Sequence, residues 1–419
     1  MGSTNDRMKE RILNKLDAEK DEIINLCSQL VKIPSENPPG MTTEIAAYLK
    51  DFLIDRGIRV RVYEPKKDMS NLIATFGAGE SPNLVMNAHM DEFPAGEIPW
   101  NAFGGEIRGG KIIGRGSSDM KGGLTASLVA FTALHEICED VPGKLTLTLV
   151  SDEETGGRWG TGWLLKNVPE VVGDACLIGE ATGTGVVATG EKGVSWFKIT
   201  SSGTSGHGAH GTGENAIEKM VEAIPIMLKM REKRGHLDRF GEEYVELLKH
   251  EAEVMRDEYG EKANRVLEYV TVNLGTIRGG TKINIVPSFC ELQLDIRLPF
   301  GVSPEDLRRN LETELERAGL DGMTCDLIRG NEGTYTSRRE KIVEIALDNV
   351  KRVTGQDPVL YPIRLGATDA HMFRTEGVPT VIYGPKAYNM AAINEHITVK
   401  DLITVTKMHA SLALDFYEW

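Results

Sequence analysis

The 419-residue sequence is poor in aromatic residues, has no long apolar run, and carries only five widely separated cysteines. Nowhere do the roughly 18 consecutive apolar residues of a membrane span occur, and the charged N-terminus lacks a signal-peptide core. The odd cysteine count and the lack of any C-x-x-C spacing exclude a disulfide framework and a thiolate zinc site. We therefore expect a cytoplasmic protein. The cysteines are Cys27, Cys138, Cys176, Cys290 and Cys325.

Positive charge is also in short supply. The chain has 48 Lys and Arg against 62 Asp and Glu, for a formal net charge of −14. Such a balance opposes binding to a phosphate backbone or an anionic membrane, so neither nucleic acid nor a membrane is an expected partner. With 41% hydrophobic residues over 419 positions, two or three globular domains can each bury a core.

The pattern of apolar residues predicts an α/β protein. Apolar positions recur at helical spacing over residues 7–32, 42–56 and 122–138, and strand-like runs such as NLVMNAHMDEF and KLTLTLVSDEE alternate with them. Alternating strands and helices favour a mixed, largely parallel sheet with helices on both faces.

A second texture interrupts this pattern after about residue 188. Strands and helices there follow the order β-α-β-β-α-β, which is typical of a ferredoxin-like α+β domain. The expected division is a catalytic domain over residues 1–188 and 331–419, with an inserted domain over residues 189–330. Within the insert, residues 236–267 form a charge-rich helical stretch that we interpret as a solvated or interface helix.

Acidic and imidazole side chains follow several predicted strands. His89 and Asp91 end one strand, Glu153 and Glu154 end another, and Glu180 ends a third, while Asp119 lies in the glycine-rich segment GRGSSDMKGG. Each alone is as compatible with a turn as with a site. Together, at the sheet edge where α/β proteins place their sites, they form a nitrogen and oxygen ligand set suited to zinc, cobalt or manganese.

The segment HMDEFPAGEIPWNAFGGEIRGGKIIGRGSSDMKGG, followed by SDEETGG and LIGEATG, resembles the M20 metallopeptidase and amidohydrolase family. That family includes acetylornithine deacetylase, succinyl-diaminopimelate desuccinylase, aminoacylase-1 and glutamate carboxypeptidase. The resemblance implies a catalytic domain of zinc-exopeptidase type, with an inserted lid or dimerisation domain. It also implies that metal is held by His89, Asp119, Glu154 and Glu180, that Asp91 orients His89, and that Glu153 is the general base.

Further segments of the insert and of the chain's return resemble the family's substrate-binding regions. GTSGHGAHGTGENAI implies that His207 stabilises the oxyanion in a partner subunit's site, with His210 as a rival, and hence implies a homodimer or higher homo-oligomer. TKINIVPSFCELQLDIR implies substrate contacts from Asn284 and Arg297, and an Arg suits a carboxylate. GATDAHMF places Gly366, Thr368 and Asp369 in the substrate pocket.

One position departs from the family pattern. A histidine ligand is expected three residues before an Asn-Glu pair, and this chain has Ala391 there, with His396 just after the pair. Three explanations remain open: a weak or absent second metal, ligation by His396, or an engineered substitution. We favour one firmly bound metal and a weakened second site.

The expected activity is hydrolysis of an amide C–N bond in a small carboxylate-bearing substrate such as an N-acyl amino acid. Two alternatives stay open: an aminohydrolase of a small aromatic amino acid, of the nitroanthranilate type, and a non-catalytic binding protein. Residues 105–111 nearly spell a phosphate-binding loop, but Ile112 stands where a hydroxyl is needed for magnesium, which disfavours nucleotide hydrolysis.

Overall fold

The computed structural model describes residues 4–77, 79, 81–97, 99–138, 141–237 and 241–417. These residues form two compact units. The first unit comprises Met1–Thr189, Thr336–Tyr361 and Thr368–Trp419, and the second comprises Gly190–Tyr335 and Pro362–Ala367. The chain leaves the first unit at Thr189 and returns at Thr336, whose backbone N–H donates to the Thr189 carbonyl at 2.7 Å.

The α-helices, in chain order, are α1 (Thr4–Ala18), α2 (Lys20–Val31), α3 (Thr43–Ile54), α4 (Gly122–Ile137), α5 (Thr161–Asn167), α6 (Ala216–Leu228), α7 (Glu242–Val254), α8 (Arg256–Tyr259), α9 (Ala263–Glu268), α10 (Pro304–Arg317), α11 (Lys341–Thr354), α12 (Ala370–Thr375) and α13 (Val399–Phe416).

The strands are β1 (Val60–Lys66), β2 (Met69–Phe76), β3 (Asn83–His89), β4 (Glu106–Arg108), β5 (Lys111–Ile113), β6 (Lys144–Val150), β7 (Ala175–Ile178), β8 (Val186–Ala188), β9 (Gly190–Glu191), β10 (Gly193–Ser202), β11 (Thr271–Gly279), β12 (Phe289–Leu298), β13 (Met323–Asn331), β14 (Thr334–Tyr335), β15 (Val359–Tyr361), β16 (Thr380–Ile382) and β17 (His396–Thr398).

An eight-stranded sheet with the order β1-β2-β6-β3-β7-β16-β8-β15 forms the centre of the first unit. The pairs β3–β6, β3–β7, β7–β16 and β8–β15 are parallel, whereas β1–β2, β2–β6 and β8–β16 are antiparallel. Strands β3 and β7 are buried along their whole length, as expected for a sheet covered on both faces. The predicted α/β fold is therefore confirmed.

Helix α4 connects the sheet to the outer helices of this unit. It contacts β3 and β6 on one side and α1, α2 and α13 on the other, which explains why almost every residue of α4 is buried. The predicted single helix over residues 7–32 is wrong in one respect. Glu19 leaves helical geometry at φ −95° and ψ 12°, so the segment forms two helices.

The second unit contains an antiparallel sheet of order β11-β12-β10-β13 with α6 and α10 packed against it. Its elements follow the predicted β-α-β-β-α-β order. Apolar residues from the sheet and both helices form its main core, including Phe197, Met220, Leu294 and Leu311.

The helical stretch over residues 236–267 is not merely solvated. Tyr244 and Leu248 of α7 are buried in a second cluster with Phe300 and Ile363. One face of the insertion therefore helps to build the second unit. Residues 238–240 of this stretch lie outside the described residues.

Candidate metal centre and substrate residues

Three adjacent parallel strands bring the predicted metal ligands to one edge of the large sheet. His89 is the last residue of β3, while Glu153 and Glu154 follow β6 and Glu180 follows β7. Since β3 pairs in parallel with both neighbours, the carboxyl ends of all three strands lie side by side. Asp119 reaches the same edge from the irregular turn that precedes α4.

The imidazole of His89 lies at the centre of the cluster and is almost fully buried. Its Nε2 atom is 3.3 Å from Asp119 Oδ1 and 3.1 Å from Glu180 Oε1. Its Nδ1 atom is 2.9 Å from the Asp91 carbonyl and 3.5 Å from Asp91 Oδ1. Nε2 therefore faces the carboxylates as a ligand atom would, and Nδ1 faces a residue that fixes the ring, as is usual for metal-bound histidines.

Two overlapping groups of ligand atoms fit a metal ion among the described residues. One combines His89, Asp119 and Glu154, and the other combines His89, Glu153 and Glu180, with all atoms of a group within 4.8 Å of one another. The structure thus brings together every strand-end residue predicted from the sequence. It also places Glu153, the expected general base, among the ligand atoms.

The charges in this cluster call for a cation. Burial, and then the neighbouring Asp119, raise the pKa of Glu154 to about 12, and burial with nearby carboxylates raises the pKa of Glu153. Glu154 Oε1 is buried and has no hydrogen-bond partner among the described residues. A buried oxygen of this kind needs a ligand, and the donor set of imidazole nitrogen and carboxylate oxygens suits a divalent metal.

Asp91 links His89 to the turn that carries the two glutamates. Its buried carboxylate accepts hydrogen bonds from the backbone N–H groups of Glu153 and Glu154 at 3.3 and 3.2 Å. The side-chain amide of Asn37 donates to it at 2.8 Å. Burial opposes the charge, but His89, Asn37 and the Glu154 N–H together lower the pKa of Asp91. Asp91 therefore contacts both His89 and the Glu153–Glu154 turn.

The loop that contains Ala391 is held by a buried ion pair. Arg115 Nη1 lies 2.5 Å from Glu395 Oε2, and Arg115 Nη2 donates to the Ala391 carbonyl at 3.1 Å. Glu395 also accepts from the backbone N–H and the hydroxyl of Ser118, the residue before Asp119. Ala391 itself is exposed, with φ 58°.

His396 does not belong to either group of ligand atoms found among the described residues. It lies in β17, where its Nδ1 is 2.8 Å from the Asn394 carbonyl and its ring stacks on Tyr388 with centroids 4.9 Å apart. The structure therefore gives His396 other partners and does not bring it to the cluster.

The first unit also contains two of the predicted pocket residues, Thr368 and Asp369, and both are buried. Asp369 accepts from the Thr161 hydroxyl at 2.7 Å and from the Asn87 amide at 3.4 Å. Burial raises its pKa to about 6. These contacts join Asp369 to Thr161 of α5 and Asn87 of β3, so Asp369 supports the end of β3.

In the second unit, the segments of His207 and Asn284 lie side by side. The N–H of Gly208 donates to the Asn284 carbonyl at 3.0 Å, and both predicted residues are exposed beside a cleft of about 650 Å³. The N–H of Ala209 donates to His207 Nδ1 at 3.2 Å, which leaves Nε2 to carry the proton of the neutral ring. The ring of the rival His210 lies 5.3 Å away.

Arg297 and Gly366 are the other predicted substrate residues in this unit. Arg297 lies toward the opposite end of β12 from the segment of Asn284, and its Nε is 3.1 Å from Asp295 Oδ1. Gly366 is exposed in the Pro362–Ala367 segment. The second unit by itself therefore does not bring Arg297 to His207 and Asn284.

Several residues around the cluster were not predicted from the sequence. Asn37 belongs to PSENPPG, which by its composition indicates only a helix breaker. The ion pairs of Arg115 with Glu395 and of Glu92 with Lys121 join segments that are distant in sequence. A polar residue within a proline-rich helix breaker is the one local signal that could have identified Asn37.

A family model described as peptidase family M20/M25/M40 matches residues 85–415. A succinyl-diaminopimelate desuccinylase from Methylobacterium radiotolerans is 26% identical over 417 residues, covering 95% of this chain and 97% of the relative.

Two solved structures share the fold. An M20 family metallo-carboxypeptidase from Sulfolobus solfataricus has a TM-score of 0.80 at 23% identity, covering 94% of this chain and 99% of that one. A dinuclear metal-binding peptidase of the same family from Bacillus subtilis has a TM-score of 0.66 at 15% identity, covering 96% of this chain and 99% of that one.

Among the described residues, no helix is both long and apolar enough to cross a membrane.

Proposed function

Since the chain belongs to peptidase family M20/M25/M40, a family of metal-dependent hydrolases, we propose that it cleaves the amide C–N bond of a small carboxylate-bearing substrate. An N-acyl amino acid is the substrate class we favour, and N-succinyl amino acids come first because the relative described above is a desuccinylase. The observation that carries this proposal is the His89, Asp119, Glu154 and Glu180 cluster with Glu153 beside it.

The residues that would hold a divalent metal are His89, Asp119, Glu154 and Glu180. When bound, zinc, cobalt or manganese supplies Lewis-acid chemistry, because it acidifies water and polarises a carbonyl. One firmly bound metal is proposed, with a weaker second site because Ala391 offers no ligand atom. A dinuclear centre is a property of the family's Bacillus subtilis member.

Glu153 acts as the general base in this proposal. Its carboxylate takes a proton from the attacking water and returns it to the departing amine, so that the C–N bond breaks as the amine becomes neutral. Asp91 supports this step because it holds the Glu153 N–H and thereby fixes where the carboxylate points.

His207 of the partner subunit donates Nε2–H to the oxyanion that forms at the substrate carbonyl, and Asn284 and Arg297 bind the rest of the substrate. The homodimer that this requires is supported by β11, an edge strand of the second unit whose Leu274 and Ile277 are exposed. The cytoplasm stays the predicted compartment.

A hydrolysis screen tests the proposal. Purified protein is stripped with a chelator, reloaded with zinc, cobalt or manganese, and assayed for amine release from N-acetyl and N-succinyl amino acids, dipeptides and aminobenzoates. We expect no turnover without metal and recovery on reloading. Full activity after metal removal verified by elemental analysis contradicts the metal-dependent mechanism, and firm metal binding without turnover of any substrate favours a binding protein.

A further inference from the structure

A short segment after α2, residues 33–37, runs beside the chain that leaves β3; we call it the strap. The Asn37 N–H donates to the Glu92 carbonyl at 2.9 Å, and the Glu92 N–H donates to the Ser35 carbonyl at 3.2 Å. The strap therefore pairs through one parallel bridge with the chain just beyond β3, close in sequence to His89 and Asp91.

Glu92 and Lys121 form an ion pair beneath the strap, and both side chains are fully buried. Glu92 also accepts from the Ser35 N–H at 2.6 Å and from the Ser35 hydroxyl at 3.0 Å. Lys121 donates to the Ile33 carbonyl at 2.7 Å. Each charge is thus neutralised and hydrogen-bonded, which a buried pair requires because both ions have lost their water.

The two charges belong to the two segments that must meet at the metal. Glu92 is covalently next to Asp91, and Lys121 is two residues after Asp119. The turn of Asp119 also comes very close to Glu92. A Cβ placed on Gly116, which has φ 78°, would lie 2.9 Å from Glu92 Oε2. Glycine at this position allows that approach.

We propose that Glu92, Lys121 and Ser35 are positioning residues that set the separation between His89 and Asp119. The atoms of those two ligands lie 3.3 Å apart although thirty positions separate them in the chain. A further direct link between these segments is the backbone N–H of His89, which faces Met120 Sδ, a weak acceptor, at 3.3 Å. The buried pair and the strap therefore supply the stronger constraint. This inference rests on the proposed metal centre.

Cobalt binding to the intact protein separates a positioning role from a merely structural one. Removing one buried charge leaves the other uncompensated, whereas replacing both with apolar residues of similar size is often neutral for stability. The informative variant is therefore the double substitution Glu92→Leu with Lys121→Met. Without metal, we expect this variant to unfold near the wild-type temperature. We expect it to bind Co²⁺ about 10- to 100-fold more weakly, which is the usual loss when a residue that supports a metal ligand is removed. Its visible Co²⁺ absorption should also change.

The control is the ion pair of the buried Lys9 with the partly buried Asp415, which joins α1 to α13 in the same unit. The double variant Lys9→Met with Asp415→Leu should keep wild-type Co²⁺ affinity and spectrum. If the Glu92 and Lys121 variant fails to fold, Ser35→Ala is measured instead. That variant keeps both charges and removes the hydroxyl bonds to Glu92 and to the Met90 carbonyl.

Wild-type Co²⁺ affinity and absorption in the Glu92 and Lys121 double variant would overturn the proposal. If that variant does not fold, the same result in Ser35→Ala would overturn it. Equal weakening in the Lys9 and Asp415 control would also overturn it, because the effect would then follow from general loss of stability. A wild-type protein that binds no Co²⁺ would instead contradict the proposed function, so the two failures are distinguishable.

Discussion

The predicted site residues of the two units differ in how completely their surroundings are formed. In the first unit, the buried His89 contacts both Asp119 and Glu180, and Asp91 contacts its other ring nitrogen. In the second unit, His207 and Asn284 are exposed, and Arg297 pairs with its own neighbour Asp295. The candidate metal ligands thus lie together within the first unit. The predicted substrate residues of the second unit are exposed and do not form a site by themselves.

The role assigned to the first unit is tested most directly at Glu153. Glu153→Gln keeps the size of the side chain and its backbone bond to Asp91 but removes the proton acceptor. We expect kcat to fall at least about 10²-fold, the lower range for losing general-base help, with metal content nearly unchanged. Elemental analysis alongside steady-state kinetics checks both. Loss of metal in step with activity would make Glu153 a ligand, as its place among the ligand atoms also allows.

His207 tests whether the second unit completes a partner's site. His207→Ala should lower kcat by about 10²- to 10³-fold, the range for one lost oxyanion donor. Heterodimers of His207→Ala with Glu153→Gln should regain part of the activity, because one site then has both residues. His210→Ala serves as the neighbouring control and should retain activity. Verified heterodimers without recovery would mean that each subunit completes its own site.

His409 tests how strongly burial of a titratable group affects the stability of the first unit outside the His89 cluster. Its Nε2 is 2.8 Å from the Tyr383 carbonyl, and burial lowers its pKa to about 4. Because the folded-state pKa lies below the unfolded value, this contribution to stability is complete above about pH 6.5 and is lost as the pH falls toward 4. The loss amounts to about 3 kcal/mol. Urea denaturation of the metal-free protein across this range should show the slope, and His409→Gln should flatten it. An unchanged slope would assign the acid sensitivity to other groups.

Ala391 tests the proposal that the second metal site of the first unit is weak. The unmodified protein should retain at most one metal per chain through dialysis, and Ala391→His should raise the stoichiometry toward two. We expect the second metal to bind at least about 10-fold more tightly, the lower range even for an outer partner. Histidine tolerates the positive φ of this position better than most residues, so the change should add little strain. Ala392→His is the matched control. Two metals in the unmodified protein, both retained in His396→Ala, would contradict this interpretation.

Much of the fold follows from local sequence, because strands and helices here carry clear periodicity. The break at Glu19 leaves no trace in the apolar pattern, and the buried face of α7 depends on what packs against that helix. Tyr244 and Leu248 meet Phe300 and Ile363, which are distant in sequence. A charge-rich helix reads as solvated when its partners are unknown.

The grouping of the candidate ligands was predictable for a related reason. Side chains at the ends of neighbouring parallel strands converge whatever the loops do, so His89, Glu154 and Glu180 could be grouped from strand patterns alone. Asn37, which reaches Asp91 from 54 positions away, leaves no such periodic trace. The residues that support the cluster were therefore missed, whereas the residues proposed as ligands could be grouped in advance.

The adjacency of Thr189 and Thr336 makes the second unit a removable module. Since these residues are joined by one backbone hydrogen bond, a linker of about two or three residues could replace residues 190–335 without stretching the sheet edge. The segment Pro362–Ala367 would then lose the Gly190 carbonyl and the Lys192 N–H as partners, and the apolar Ile363 would become solvent-facing. A polar replacement there would leave a minimal metal-binding scaffold, onto which other binding surfaces could be grafted at the same junction.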